Sequence, residues 1–327
     1  MSTVFITGPT GCIGAATIAS LVADGVDRIV GFSRNEDWSR IDEACRPHVR
    51  LVTGDITDAG QVREAILDSQ PDRIIHLAAY QTPDCQANPF GGFDVNVTGS
   101  MNVFRAAAEL GSSLQRFVFA SSAAVYGARS IYPADRVEAS APFQPPNLYG
   151  YWKVAGEGMA QAFHLETGVS TVSLRLATTY GPGRDRGLTS APTTAIKSVV
   201  RGVPHLMPYE GREHYHYVSD VGAGFGQAAI DEFEGCEAFN LRGQTVEVRE
   251  FLSLLTELAP ADRPADVGIA NDASVMPFVC DLDDRATLQA FPRMPLTSLK
   301  TGISQSIERF QQIGLSNSPA ARDADAD

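Results

Sequence analysis

The chain has 327 residues, 44% of them hydrophobic and 20% charged, and its 26 Lys and Arg residues against 39 Asp and Glu residues give a formal net charge of −13. This acidic balance speaks against a nucleic-acid partner, because phosphate contacts need a basic face. No apolar run approaches the ~18 residues of a membrane helix and none has the form of a cleavable leader, so we expect a cytoplasmic protein without a membrane partner.

Short β-branched or apolar runs alternate with segments of helical period along the first half of the chain. The apolar runs predict strands at 3–7, 28–33, 49–53, 73–77, 116–121 and 171–176, and the longer segments predict crossover helices at 15–24, 59–69, 96–111 and 149–168. Parallel strands joined by helices form sheets that are covered on both faces. The sequence therefore predicts an α/β fold with a doubly wound, Rossmann-like parallel sheet and a smaller C-terminal substrate-binding region.

The regular alternation ends near residue 180, where Pro and Gly become more frequent. We predict a dinucleotide-binding Rossmann domain over residues 1–180. A mainly substrate-binding region is expected over 181–315, with some segments returning to the main sheet. The small, polar and acidic residues 316–327 predict a flexible tail.

A glycine-rich loop follows the first predicted strand. Gly8, Gly11 and Gly14 have GxxGxxG spacing, and Cys12 and Ile13, which lie between the last two glycines, are counted with them as cofactor-binding residues. Gly8 permits a tight turn, Gly11 lets the backbone approach a pyrophosphate, and Gly14 lets the helix pack on the strand. A strand before the loop and a helix after it favour dinucleotide binding over a merely structural turn.

The ends of the second and third strands bear on the choice of cofactor. Ser33 and Arg34 end the second strand, where an NAD-preferring site usually has an acid for the ribose 2′-hydroxyl. A hydroxyl and a guanidinium suit a 2′-phosphate, so we predict NADP in preference to NAD; the alternative is a solvated surface arginine. Asp55, followed by Ile56, is a candidate contact to the adenine, although a helix N-cap would have the same sequence.

Three residues form a candidate catalytic set. Ser122 follows the fifth strand, and Tyr149 and Lys153, four residues apart, share one face of the next long helix. Tyrosine is a poor base at its ordinary pKa near 10, but a lysine cation and an oxidised nicotinamide both favour the phenolate. Ser122 would hold the substrate oxygen beside Tyr149 while the nicotinamide exchanges a hydride.

As a set, these residues resemble an extended short-chain dehydrogenase/reductase of the NAD(P)-dependent epimerase/dehydratase family. The resemblance implies that Leu77, Ala78 and Ala79 line the cofactor and that Asn96 lies close to it. It also implies that Ser122, Tyr149 and Lys153 are the catalytic triad, and that a homodimer forms through the helices at 96–110 and 149–163. The matching segments are the glycine loop, 54–56, 76–79, 96–99, the strand before Ser122, Tyr149 with Lys153, 175–183 and 296–310.

The chain departs from this family where the substrate would bind. Ala123 and Ala124 replace the Asp-Glu pair of sugar-nucleotide 4,6-dehydratases, so dehydration lacks its acid and base. Thr178 stands where nucleotide-sugar enzymes tend to have an Asn for the diphosphate. Glu213 replaces an arginine and would repel a diphosphate unless Arg212 compensates. These departures favour a smaller, non-nucleotide substrate.

The candidate substrate-binding residues lie on loops expected to face the nicotinamide. Arg184 or Arg186 is a candidate clamp for a substrate carboxylate, and the alternative is a solvated ion pair with Asp185. His214 and His216 share a face if that segment is a strand, but no third ligand is evident, so no metal site is predicted. The full candidate set is Gln81, Thr82, Ala124, Thr178, Arg184 and Arg186.

Three functional hypotheses follow. The favoured one is an NAD(P)-dependent oxidoreductase that transfers a hydride at a secondary alcohol or ketone of a carbohydrate-like or other small hydroxy substrate, with Tyr149 as general acid/base. The second is a nucleotide-sugar epimerase with tightly bound NAD(P). The third is a non-catalytic dinucleotide-binding sensor, against which the intact set of Ser122, Tyr149 and Lys153 argues.

Overall fold

The computed structural model describes residues 2–275 and 279–314. Their strands are β1 (Thr3–Thr7), β2 (Arg28–Ser33), β3 (Val49–Thr53), β4 (Arg73–His76), β5 (Arg116–Ser122), β6 (Ser170–Leu176), β7 (Thr178–Tyr180), β8 (His205–Glu210), β9 (Arg212–Tyr217), β10 (Cys236–Asn240), β11 (Gln244–Glu247) and β12 (Val267–Val275). Their α-helices are α1 (Cys12–Ala23), α2 (Ala59–Ser69), α3 (Thr82–Ala87), α4 (Pro89–Phe93), α5 (Ser100–Ala108), α6 (Leu148–Thr167), α7 (Ala191–Arg201), α8 (Val218–Ile230), α9 (Val248–Glu257), α10 (Arg285–Ala290) and α11 (Leu299–Gln312).

The main sheet has seven parallel strands in the order β10-β6-β5-β4-β1-β2-β3. The order runs outward from β1 in both directions, so the connections on the two sides leave a crevice at the carboxyl ends of β1 and β4. This arrangement confirms the predicted doubly wound α/β fold. It also fixes where a dinucleotide and its substrate would meet.

The sheet is buried on both faces because successive side chains of each strand point to opposite sides. In β1, Val4 and Ile6 pack into one core together with side chains of α1 and α8. Phe5 points to the other face, into a core shared with α2, α5 and α6. This burial on both faces explains why the strands are continuous apolar runs.

The C-terminal half builds two small sheets beside the main one. β7, β9 and β11 form a three-stranded sheet, and β8 pairs with β12. Side chains from α7, α9 and α11 share a further core with β9, which includes Ile196, Phe251, Ile303 and Tyr215. β10 returns to the main sheet and pairs with β6.

The predicted tail at 316–327 lies outside the described residues. In the part of the chain that is described, no helix is both long and apolar enough to cross a membrane.

Candidate active site

A cavity of about 190 Å³ lies at the carboxyl ends of the central strands, where β7 and β9 close it from the side. It collects residues that are far apart in the sequence, from Ile13 at the start of α1 to Val279 after β12. Eight of the predicted site residues from the catalytic and substrate sets line it: Gln81, Thr82, Ser122, Ala124, Tyr149, Lys153, Thr178 and Arg184.

The start of α6 holds two of these side chains. Asn147 caps the helix, its side chain accepting a hydrogen bond from the Gly150 backbone N–H at 3.0 Å. A Cβ at Gly150 would lie 2.2 Å from the Ala124 carbonyl oxygen, so glycine lets the helix approach the end of β5 closely. Tyr149 and Lys153 then face the same cavity, with the Lys153 ammonium 5.6 Å from the Tyr149 ring centre.

The surroundings of Tyr149 and Lys153 affect the pKa values of both side chains. Burial raises the pKa of Tyr149, while a hydrogen bond with Ser122 and the charge of Arg184 act in the opposite direction. Burial lowers the pKa of Lys153 to about 8, so its ammonium remains mostly charged at pH 7. Its Nζ donates to the Ala120 carbonyl oxygen at 2.6 Å instead of to the Tyr149 hydroxyl.

A second cavity runs along the glycine loop and the ends of β2 and β3. It shares Ala79 with the first cavity, so the two adjoin at the end of β4. It is lined by seven of the predicted cofactor residues: Gly8, Ser33, Arg34, Asp55, Ile56, Ala78 and Ala79.

The N-terminus of α1 has the properties of a pyrophosphate site. Its first turn carries no acidic residue, and its N-cap Gly11 offers no side-chain oxygen to the free backbone N–H groups. A Cβ at Gly14 would lie 2.3 Å from the Gly8 carbonyl oxygen, and Gly8 has φ +71°. Uncapped N–H groups and a positive helix end suit an anion, so these residues fit a dinucleotide.

The other predicted cofactor residues take different positions. Ile13 and Leu77 line the first cavity, whereas Gly11, Cys12, Gly14 and Asn96 are not among the described lining residues of either. Asn96 is buried and exchanges two hydrogen bonds with the Tyr80 backbone, at 2.7 and 2.9 Å. It therefore fixes the loop that separates the two cavities.

The ribose end of the second cavity has exposed and polar walls. Arg34 is exposed and lies near Tyr80, with Nη1 3.4 Å from its hydroxyl. Asp55 accepts hydrogen bonds from the backbone N–H and hydroxyl of Thr57, both at 2.8 Å, which lower its pKa. The N-cap of α2 is Asp58, so Asp55 does not cap this helix.

Arg184 makes its contacts inside the first cavity. Its guanidinium donates to the Gln81 side-chain oxygen at 3.0 Å and to the Thr189 hydroxyl at 2.8 Å. Asp185 pairs instead with Arg40 and Lys197, so the considered Arg184–Asp185 ion pair is not formed. Arg186 is exposed and is not among the lining residues described.

Three residues of β9 line the cavity, Arg212, Glu213 and His214, and the sequence did not single them out as binding residues. Glu213 is buried and accepts a hydrogen bond from the Thr178 hydroxyl, while its Oε1 has no partner among the described residues. Burial raises the pKa of Glu213 to about 7. His214 is also buried, and burial lowers its pKa well below the ordinary value. Thr178 was a predicted site residue, but its contact with Glu213 was not predicted, because the two residues are 35 positions apart in the sequence.

Comparison with known proteins identifies the family. Residues 4–241 match the model of the NAD dependent epimerase/dehydratase family. The chain belongs to this family. Membership confirms the predicted resemblance and the prediction that the protein is an enzyme, and it makes the enzyme one of an NAD-dependent family.

Individual relatives cover nearly the whole chain. The dTDP-L-rhamnose 4-epimerase of Burkholderia thailandensis is 27% identical over 94% of this chain and 96% of its own. The UDP-glucose 4-epimerase of Thermus thermophilus, solved with NAD, has a TM-score of 0.79 at 24% identity and covers 94% of this chain and 99% of its own. The L-threonine dehydrogenase of Clostridium difficile has a TM-score of 0.80 at 20% identity, covering 96% and 99%.

These similarities show that proteins with this fold act on different substrates. A sugar-nucleotide epimerase and an amino-acid dehydrogenase resemble this member of the family about equally in structure. Function on a shared fold depends on the residues of the site. The substrate therefore has to be argued from the cavity walls.

Proposed function

We propose that this enzyme transfers a hydride between NAD(P) and a secondary alcohol or ketone of a small hydroxy compound, with Tyr149 as general acid/base. One observation carries the proposal: Ser122, Tyr149 and Lys153 converge on a cavity that adjoins the glycine-loop groove through Ala79. The chemistry that a bound nicotinamide supplies is the exchange of a hydride with the substrate carbon.

The protein residues handle the proton and the oxygen. In the oxidative direction, the Tyr149 Oη takes the hydroxyl proton while the hydride leaves the same carbon, so an alcohol becomes a ketone. Ser122 holds the substrate oxygen by a hydrogen bond next to Tyr149. The Lys153 ammonium, 5.6 Å from the Tyr149 ring, favours the ionised phenol because opposite charges attract.

The cavity wall supports a non-nucleotide substrate. Glu213 adds a buried carboxyl without a cationic partner among the described residues. Arg212 does not compensate, because both of its terminal nitrogens donate to Asp281, at 3.0 and 2.7 Å. A diphosphate would therefore find a carboxyl instead of a free cation there, and phosphates need cationic partners when they lose water.

We propose NADP as the preferred cofactor. Ser33 and Arg34 line the groove at the end of β2, where no carboxylate follows the strand directly. The exposed Arg34 can turn toward a 2′-phosphate at little cost, because its hydrogen bond to Tyr80 is long at 3.4 Å.

We also propose that the enzyme is a homodimer that packs through α5 and α6. Small residues leave room for close helix packing on the exposed face of α6. That face carries Tyr151, Ala155, Gly158, Ala162 and Leu165, spaced by three and four residues.

The test measures reduced-nicotinamide absorbance for the purified enzyme with NADP or NAD and a panel of free sugars, sugar acids and hydroxy acids. We expect net hydride transfer with a non-nucleotide compound, and a higher kcat/KM with NADP. Tyr149→Phe should lower kcat by at least about 100-fold, because general acid/base catalysis contributes that much, and should leave cofactor binding intact.

Tyr151→Phe is the matched control, since it removes an exposed hydroxyl two residues away on the same helix. Wild-type turnover by Tyr149→Phe would refute the assigned role. Cofactor binding without turnover of any compound, including sugar nucleotides, would support the sensor instead.

The second candidate is a nucleotide-sugar epimerase, favoured by the 27% identity to the rhamnose epimerase over nearly the whole chain. In that case the cofactor would cycle without net reduction. Co-purification of a tightly held dinucleotide, with a UDP- or dTDP-sugar changing configuration by NMR, would establish this activity and exclude the smaller substrate.

A further inference from the structure

We propose that Arg184 binds a carboxylate of the substrate, so that the substrate class is a small hydroxycarboxylic acid such as a sugar acid. This inference rests on the proposed hydride transfer at the same cavity and specifies what it acts on. In this proposal, Gln81 and Thr189 hold the Arg184 guanidinium in position.

Arg184 is a cation without a carboxylate partner among the described residues. Its two hydrogen bonds go to neutral groups, the Gln81 amide oxygen and the Thr189 hydroxyl. Its Nε is buried and has no partner. The adjacent acid, Asp185, is paired with Arg40 and Lys197. A guanidinium with spare donors, one of them buried, is stabilised when a ligand supplies the missing anion.

The loops after β4 and β7 together hold this guanidinium in place before any ligand arrives. Gln81 caps α3, its backbone N–H donating to Asp84 at 3.0 Å, which anchors the residue that accepts from Arg184. At Gly187, with φ +92°, a Cβ would lie 2.0 Å from the Gln81 Oε1 and 3.3 Å from the Arg184 Nη2. Glycine therefore lets the loop close over the pair, and a preorganised group loses less entropy on binding.

The other polar wall of the cavity offers no unpaired cation among its described residues to a second anion, because Arg212 is paired there with Asp281. Glu213 has an unpartnered Oε1 and contacts Thr178, so that wall suits a hydroxyl donor. Arg184 and Tyr149 line the same cavity, so a carboxylate bound at Arg184 would share that cavity with the oxygen that loses its proton. The pattern fits a molecule with a carboxylate at one end and hydroxyl groups along its length.

The test compares hydroxy acids of three to six carbons with their primary amides, which have nearly the same shape but no charge. We expect wild type to prefer at least one acid over its amide by more than about 10-fold in kcat/KM. Arg184→Gln should lower kcat/KM for that acid by about 100-fold and bring the acid/amide ratio near one. Arg184→Lys should recover part of the preference, because it keeps the charge without the planar fork.

Arg186→Gln is the matched control, since that exposed arginine lies in the same loop outside the cavity, and it should keep the wild-type ratio. Binding is measured separately by calorimetry, titrating gluconate, glycerate and their amides into Tyr149→Phe protein loaded with NADP⁺. Tighter binding of an acid than of its amide, lost in the Tyr149→Phe, Arg184→Gln double variant, supports the clamp even without turnover.

The outcomes separate this inference from the proposed function. Turnover of neutral polyols or amides with no acid preference would overturn the clamp and leave hydride transfer standing. Selective acid binding in a protein that turns over no small compound would support the clamp and overturn the hydride transfer. Epimerisation of a sugar nucleotide, with acids and amides bound equally poorly, would overturn both.

Discussion

Glu213 links the substrate cavity to the stability of the fold. Burial raises the pKa of its carboxyl from 4.5 to about 7, so the folded protein favours the protonated form. Its contribution to stability is therefore complete below pH ~4.5 and is lost as the pH rises through ~7, a difference of roughly 3 kcal/mol. Glu213→Gln keeps the shape without the titration. We expect the Tm of wild type, but not of the variant, to fall steeply between pH ~4.5 and ~7 and to level off at higher pH.

Thermal unfolding across this pH range measures the effect. Glu247→Gln is the control, because Glu247 lies on β11 beside β9 and its side chain is exposed. Parallel Tm curves for wild type and Glu213→Gln would mean that the Glu213 carboxyl is not buried as described.

Site residues that depend on local spacing could be predicted, and those that depend on distant pairing could not. A separation of four residues puts Tyr149 and Lys153 on one helix face whatever surrounds them. Glu213 meets Thr178 only because β7 pairs with β9, and Arg184 meets Gln81 across 103 residues. No local pattern encodes such contacts, so the sequence suggested Glu213 only as a charge that would repel phosphates.

Two glycines at the start of α1, Gly11 and Gly14, serve different purposes. A Cβ at Gly11 would meet only the Gly8 oxygen at 3.5 Å, an ordinary contact, and Gly11 has φ −74°. A Cβ at Gly14 would lie 2.3 Å from the same oxygen and 2.7 Å from the Pro9 Cα. We expect Gly11→Ala to stay within about 1 kcal/mol of wild-type stability and to weaken NADP binding by at least about 10-fold, because its methyl group would face the pyrophosphate.

Gly14→Ala is expected to lower the Tm clearly, because the helix must move off the loop to admit the methyl group. Thermal unfolding with and without NADP, together with calorimetric titration of the cofactor, distinguishes the two variants. If Gly11→Ala bound NADP like wild type, the pyrophosphate would not approach the backbone at Gly11.

Strands that form continuous apolar runs could be predicted from the sequence, whereas very short strands that pair with distant parts of the chain could not. The strands at 3–7, 28–33 and 49–53 have the predicted bounds, because buried parallel strands are continuous apolar runs. β7 has only three residues and lies in a segment predicted for the first domain, yet it pairs with β9 in a separate sheet. Three residues carry too little periodicity to show which sheet they join.

At the scale of the whole molecule, α6 joins the site to a surface that a second copy can cover. Its buried face carries Lys153 and Phe163. Its exposed face carries the residues Tyr151, Ala155, Gly158, Ala162 and Leu165, and Tyr151 and Leu165 are 57% and 77% exposed. Because the same helix carries Tyr149, packing against a partner would stiffen the element that holds the proposed general base.

Ala162→Glu tests this arrangement, since it adds a charge where the proposed dimer packs helix on helix. Burying an unpaired carboxylate is costly, so we expect the variant to elute as a monomer of about half the wild-type mass in light scattering, with reduced kcat. Ala286→Glu is the matched control, because it adds the same charge to an exposed position on α10. A wild type that is monomeric at all concentrations would exclude the dimer. A dimer unaffected by Ala162→Glu would show that the copies pack through another face, and Tyr149 would then owe its position to the fold of one chain alone.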